Sequence, residues 1–185
     1  DLASQNNKAV HILGLLSDGG VHSHQDHIFA ALELAKQKNC GQVFLHVFTD
    51  GRDTPPNSAS KYIEQLESKI SEINVGRIVS VVGRFYAMDR DNRWERVSKA
   101  YELITEGKAG RSSRSAKEAI QEAYSLGEND EFIAPTSIGE AVKINQDDLV
   151  IFMNYRADRA REITLALTSS TFNEFSRNRF VQCNF

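Results

Sequence analysis

The sequence predicts a three-layer α/β/α domain on a mostly parallel sheet of about five strands, one of which can run antiparallel. Short β-branched and aromatic runs recur with little polar alternation, the pattern of strands covered on both faces. Between them, apolar residues spaced by three or four mark amphipathic helices. Three of the four clearest strand runs also halt at a glycine-bearing turn.

Taken in order, Ala9–Leu16 (AVHILGLL) is the first strand and stops at Ser17-Asp18-Gly19-Gly20. His24–Lys38 is a helix with Ile28, Ala31, Leu32 and Ala35 on one face. Val43–Phe48 is the second strand, broken by Asp50-Gly51 and kept from resuming by Pro55-Pro56. Ser58–Ile73 is helical, with Tyr62, Leu66, Ile70 and Ile73 inward. Arg77–Val82 is the third strand, ended by Gly83-Arg84. Trp94–Thr105 follows as a helix with Gly107 as its stop. Ser115–Ser125 is another, capped by Ser115 with Glu118 three residues on. Phe132–Ala134 is read as a short strand, Leu149–Asn154 as a buried one, and Ala157–Leu167 as the last helix. The tail Phe180–Phe185 reads as an edge strand or a cut end.

Length and composition narrow the class. The 185 residues suit one compact domain, and 41% hydrophobic with 25% charged residues is ordinary for a globular protein. No apolar run nears the roughly 20 residues of a membrane span, and no signal-peptide pattern opens the chain, so a cytoplasmic protein without a membrane partner is expected. A net charge of −3 argues against a general nucleic-acid binder. Cys40 and Cys183 lack CxxC spacing and suggest neither zinc nor a disulfide framework. Arginine outnumbers lysine 13 to 9, and arginine's planar fork suits carboxylates and phosphates.

The arginines gather where ligands bind. In open α/β sheets that place lies beyond the carboxyl ends of the strands. Arg52 follows the second strand, Arg84 and Arg90 the third, and Arg156 and Arg159 the last buried one. Five guanidinium groups on one rim would repel one another unless an anion sat among them. Arg156 and Arg159 lie three apart at the start of the expected helix, so they share a face at a terminus already suited to anions. Arg77 opens its strand at the other edge, and Arg93, Arg96, Arg111 and Arg114 read as structural.

His22 and His24, with Asp18, allow a second reading as a metal cluster of a small metal-dependent hydrolase, although no later strand end supplies a further histidine. His11 and His46 read as satisfied core histidines and His27 as helical surface, which leaves His22 as a donor to an anion.

Four motifs in order, GLLSDGGVHSH (Gly14–His24), TDGRDTPP (Thr49–Pro56), GRFYAMDRDNRWER (Gly83–Arg96) and NYRADRARE (Asn154–Glu162), resemble the substrate-binding domain of cofactor-independent phosphoglycerate mutases. The resemblance spans nearly the whole chain and implies a single domain over residues 1–185, cut from a two-domain enzyme. It implies an isomerase of glycolysis and gluconeogenesis that interconverts 3-phosphoglycerate and 2-phosphoglycerate through a phosphoserine intermediate. The serine and two Mn²⁺ or Mg²⁺ ions would belong to the absent phosphatase-like domain, leaving this chain without metal or cofactor and inactive alone. It further implies His22, Arg52, Asp53, Arg84, Arg90, Arg156 and Arg159 as substrate contacts, Asp53 as the catalytic residue, and a monomer. A carboxylate held among guanidinium groups gives up affinity for protons, so Asp53 serves at least as well as a hydroxyl-orienting acceptor. A free-standing phospho-ligand binding module is the remaining alternative.

Overall fold

Each of the four buried runs forms a strand in the computed structural model, which describes residues 8–185. The strands are β1 (Val10–Leu15), β2 (Val43–Thr49), β3 (Arg77–Gly83), β4 (Arg111–Ser113), β5 (Thr136–Ile138) and β6 (Leu149–Phe152). They form one six-stranded sheet in the order β4-β5-β3-β2-β1-β6. β1 pairs in parallel with β2 and β6, and β2 with β3. β5 runs antiparallel to β3, and β4 pairs in parallel with β5. A mostly parallel sheet with an antiparallel relation is therefore correct, and the strands number six.

Two elements differ from expectation. Phe132–Ala134 is not a strand: Asp130–Phe132 is a 3₁₀ turn, and β5 begins only beyond Pro135. Proline has no amide to give to a ladder, so pairing waits for Thr136. The last helix is also split, because Ala157–Arg159 forms a 3₁₀ turn before the α-helix proper starts at Arg161.

The helices are α1 (Gln25–Gln37), α2 (Ala59–Ile73), α3 (Arg84–Ala87), α4 (Trp94–Glu106), α5 (Ala116–Ser125) and α6 (Arg161–Thr168). Alternate strand residues feed two cores. Ile12, Leu45, Val47 and Val81 meet Leu32, Ile63, Leu66 and Ile120 of α1, α2 and α5. Leu13, Phe48 and Val82 meet Ala87, Val97, Ile104 and Ile163 of α3, α4 and α6. Each fully buried Leu or Phe here contributes about 1.5–3 kcal/mol relative to exposure.

Caps follow the sequence in part. Ser115 Oγ accepts from the Glu118 amide at 3.2 Å, and α4 ends on Gly107 at φ +64°. Ser58 does not cap α2 with its side chain. Buried Asp130 does so from a distant loop, accepting from the Ser58 and Ala59 amides at 2.8 and 2.9 Å. Inside the sheet His11 Nδ1 lies 3.0 Å from His46 Nε2, and His46 Nδ1 lies 2.8 Å from Ser80 Oγ, so His46 is satisfied in the core, whereas His11 Nε2 makes no hydrogen bond and lies 3.4 Å from Asp148 Oδ2. The tail does not form a full edge strand; it touches β6 through one parallel bridge, Leu149 to Asn184. No helix among the described residues is long and apolar enough to cross a membrane.

Candidate anion-binding site at the strand ends

The segments leaving β1, β2, β3 and β6 meet. Asp50, directly after β2, is the pin: buried, it accepts Ser17 Oγ at 2.7 Å and the Arg52 and Asp53 amides at 3.1 and 2.9 Å. Those amide bonds turn the chain and set Arg52 and Asp53 beyond the strand. The turn needs Gly51, at φ +74°, where an added Cβ would lie 2.8 Å from the Glu131 nitrogen. Arg84 opens α3 at the end of β3, and its Nη1 donates to Asp50 Oδ1 at 2.7 Å and Asp53 Oδ2 at 2.8 Å. Burial alone would raise the Asp50 carboxyl, but bonds from Ser17, the two amides and Arg84 outweigh it and hold the group below the usual carboxylate range.

The loop after β1 closes the other side. His22 is buried, its carbonyl accepts from the Tyr155 amide at 2.9 Å, and its Nδ1 lies 3.8 Å from Asp158 Oδ1. No hydrogen bond reaches His22 Nδ1. Burial and the nearby Arg84 charge lower its pKa below the usual histidine value, so the ring is neutral near pH 7. Asp158 ties the β6 side together: Arg156 Nε approaches it at 2.9 Å and Arg90 Nη1 at 2.8 Å. Arg159 Nη1 donates to the Met88 carbonyl at 3.1 Å. Burial and the neighbouring Arg90, Arg84 and Arg52 charges lower the Arg159 pKa, the signature of crowded cations; an arginine so placed still stays protonated.

All seven sequence-derived residues therefore lie together: His22, Arg52, Asp53, Arg84, Arg90, Arg156 and Arg159. A cleft of about 290 Å³ is lined by Arg52, Arg84, Arg93, Arg96 and Arg159, with Asp89 and Glu131 among its other walls. Arg93 and Arg96, expected to be structural, thus line the cleft; Arg96 lies 3.8 Å over the Phe85 ring and 3.5 Å from Asp89. Arg111 and Arg114 are structural, paired with Glu128 and Glu118. A larger groove of about 470 Å³ between α1 and β6 is almost wholly apolar and unsuited to an anion.

The acids were missed. Asp50, Asp158 and Glu131, which holds Arg52 Nη1 at 3.3 Å, were not read as site residues, although each supplies a counter-charge. The arginines were expected to repel one another; instead Arg52, Arg84, Arg90 and Arg156 are already paired with carboxylates. Arg159 pairs with a carbonyl and with no carboxylate among the described residues. The helix terminus expected at Arg156 is instead a short 3₁₀ turn.

The metal-cluster geometry does not form. Asp18 bonds Tyr62 Oη at 2.5 Å and Lys61 Nζ at 3.1 Å, while His24 Nδ1 accepts the Asp26 amide at 3.3 Å. Among the described residues no group of three or more His, Cys, Asp or Glu side chains is arranged to hold a metal ion.

A three-layer α/β domain that collects guanidinium groups beyond its parallel strand ends has, by class, the charge and the placing of a candidate anion site. The family model described as BPG-independent PGAM N-terminus matches residues 1–185, and the chain belongs to that family. It is 56% identical over its full length to a 2,3-bisphosphoglycerate-independent phosphoglycerate mutase of Vesicomyosocius okutanii, covering 36% of that relative. It is 57% identical over 179 residues to the Pseudomonas entomophila enzyme of the same name, covering 97% of this chain and 35% of the relative. A crystal structure of Leishmania mexicana phosphoglycerate mutase at low cobalt concentration superposes with a TM-score of 0.92 at 31% identity, over 99% of this chain and 36% of that one. The chain thus spans about a third of the length of the curated relatives it matches.

Proposed function

We propose that this chain holds the substrate of a 2,3-bisphosphoglycerate-independent phosphoglycerate mutase, an isomerase of glycolysis and gluconeogenesis in the cytoplasm. The phosphoryl group of 3-phosphoglycerate passes to a serine supplied from outside these residues. The retained glycerate reorients, and the phosphoryl group moves to its other hydroxyl to give 2-phosphoglycerate. Manganese or magnesium would belong with that serine; among the described residues no group of three or more His, Cys, Asp or Glu side chains is arranged for one, and no step assigned to this chain uses one.

The observation that carries the reading is the convergence of Arg52, Arg84, Arg90, Arg156 and Arg159 with neutral His22 on one rim, where Arg52, Arg84 and Arg159 line a cleft. Phosphoglycerate bears roughly three negative charges, up to two of them on phosphate. Partly neutralised arginines hold such an acid without trapping it: the ligand exchanges one carboxylate partner for another and little guanidinium hydration is lost. Holding glycerate between the two phosphoryl transfers lowers the entropic cost of the second. Arg84 fixes Asp53 Oδ2, and Oδ1 takes no hydrogen bond among the described residues, so it is free to orient a glycerate hydroxyl. Neutral His22 offers a ring nitrogen to the ligand without adding charge.

Calorimetry of this chain with 3-phosphoglycerate tests the reading. Replacing Arg156 and Arg159 together by alanine should weaken binding roughly a hundredfold, at about 1.5 kcal/mol per charged hydrogen bond. The domain should still fold, as circular dichroism checks, since Arg156 is exposed and Arg159 only half-buried. Arg159→Ala should do more than Arg156→Ala, because Arg156 already has Asp158. Equal affinity in the double variant and the parent defeats the assignment.

A further inference from the structure

Two segments 68 to 71 residues apart are fastened together at the site. One is the Met88–Arg93 loop between α3 and α4; the other runs from Arg156 into the first turn of α6. Arg159 Nη1 donates to the Met88 carbonyl and Arg90 Nη1 to Asp158, both near the surface. Beneath them the Asn92 amide, in a left-handed residue at φ +56°, donates to Glu162 Oε1 at 2.9 Å. Glu162 is 8% exposed and Asp89 4%, and each carboxyl group acts on the other in this buried place.

Two carboxylates buried side by side would repel; one proton between them turns the repulsion into an O–H···O⁻ bond. The geometry says which acid carries it. Asp89 Oδ2 accepts the Asp91 and Arg93 amides at 3.0 and 2.9 Å, and Arg96 Nη1 lies 3.5 Å from Oδ1. Glu162 receives a single amide, and its buried Oε2 meets no donor. A proton on Oε2 makes that atom the donor to Asp89 and satisfies both acids. Burial pushes the Glu162 carboxyl up, and the Asp89 and Asp91 charges add to this. Burial acts on Asp89 in the same sense, but the Arg93 and Asp91 amides outweigh it and hold Asp89 low.

We propose that Glu162 is a positioning residue whose shared-proton bond to Asp89 and acceptor bond to Asn92 lock the Met88–Arg93 loop to the α6 turn, thereby spacing Arg90 and Arg159 for the ligand. The proposal rests on the phosphoglycerate reading of the cleft. Glu162 does not line the cleft, so it acts through the loop. The neutral acid both donates and accepts there, and a glutamine amide of the same length does the same.

Amide hydrogen exchange and calorimetry with 3-phosphoglycerate, on the parent chain, Glu162→Ala and Glu162→Gln, separate the possibilities. Expected are faster exchange at Asp91–Arg93 and at least tenfold weaker binding in Glu162→Ala, with both restored to within about threefold of the parent in Glu162→Gln. Unchanged loop exchange in Glu162→Ala overturns the latch. A loosened loop with unchanged affinity overturns the positioning role and leaves the site reading standing. Failure of Glu162→Gln to restore binding while it restores loop protection also overturns the role. A parent chain that binds no 3-phosphoglycerate defeats the ligand reading, and the role with it, however well protected the loop. If Glu162→Ala does not fold, Asp89→Asn takes its place: with one acceptor oxygen exchanged for a donor, it should loosen the same amides.

Discussion

A guanidinium with only 4% of its side chain exposed, as in Arg84, must be surrounded by acceptors or the fold cannot hold it. Asp50 and Asp53 supply them through one nitrogen, and Asp50 in turn fixes the amides that place Asp53. Removing the cation leaves Asp50 buried with Ser17 and two amides as its only compensation. Arg84→Ala should therefore cost about 3–5 kcal/mol of stability, the range for breaking a buried pair from one side. Urea unfolding measures it, and a loss below about 1 kcal/mol would refute the central place given to this pair. Arg84 was legible in the sequence because Gly83-Arg84 ends a strand. Asp50 was not, because Asp-Gly reads as a turn whether or not the aspartate also pairs with a distant cation. That Arg93 and Arg96 line the cleft as well as pairing with Asp89 was hidden for a related reason: it takes the curl of the loop around Asp89 to bring them there.

Four strands or their immediate leads contribute one polar group each to a line across the sheet: Asp148 before β6, His11 of β1, His46 of β2 and Ser80 of β3. His46 is wholly buried, and burial, reinforced by His11, lowers its pKa well below 6.5. The unfolded chain takes up a proton near pH 6.5 that the native sheet refuses, so the unfolded state binds more protons below that pH. The contribution of this histidine should be flat above about pH 6.5 and fall as pH drops from there towards 4, by up to about 1.4 kcal/mol per pH unit. His22, also lowered, acts in the same sense; carboxylates held low, such as Asp50, are lost only below about pH 4. His46→Gln removes the larger contribution, so urea unfolding between pH 4.5 and 7 should show a shallower slope than the parent. An identical slope would mean that His46 is not the acid-sensitive group. At this scale the long buried strands were legible because continuous apolar runs and glycine breaks do not depend on context. β4 and β5, at three residues each, were not. Too short for any period, they exist because β3 offers an edge and Asp130, capping α2, draws the intervening loop back over the sheet.

Across the molecule, the parallel connections deliver the carboxyl ends of β1, β2, β3 and β6 to one rim, and residues more than a hundred positions apart in the chain become one site. In the proposed reading the groups of the rim bind, orient and neutralise, and Asp53, Arg-bound at one oxygen, is the nearest to a reactive acid. The serines beside the rim, Ser17 and Ser23, are committed to Asp50 and to the Leu15 carbonyl. The chain spans 36% of its Vesicomyosocius okutanii relative, and the proposed division of labour gives the phosphoryl-accepting serine to the remainder. Incubated with 3-phosphoglycerate and manganese, this chain should bind the acid and leave it unchanged, with no 2-phosphoglycerate resonance growing in a phosphorus NMR series over hours. Turnover by the chain itself would require a phosphoryl acceptor inside the arginine rim, and the separation of holding from transfer would then be wrong.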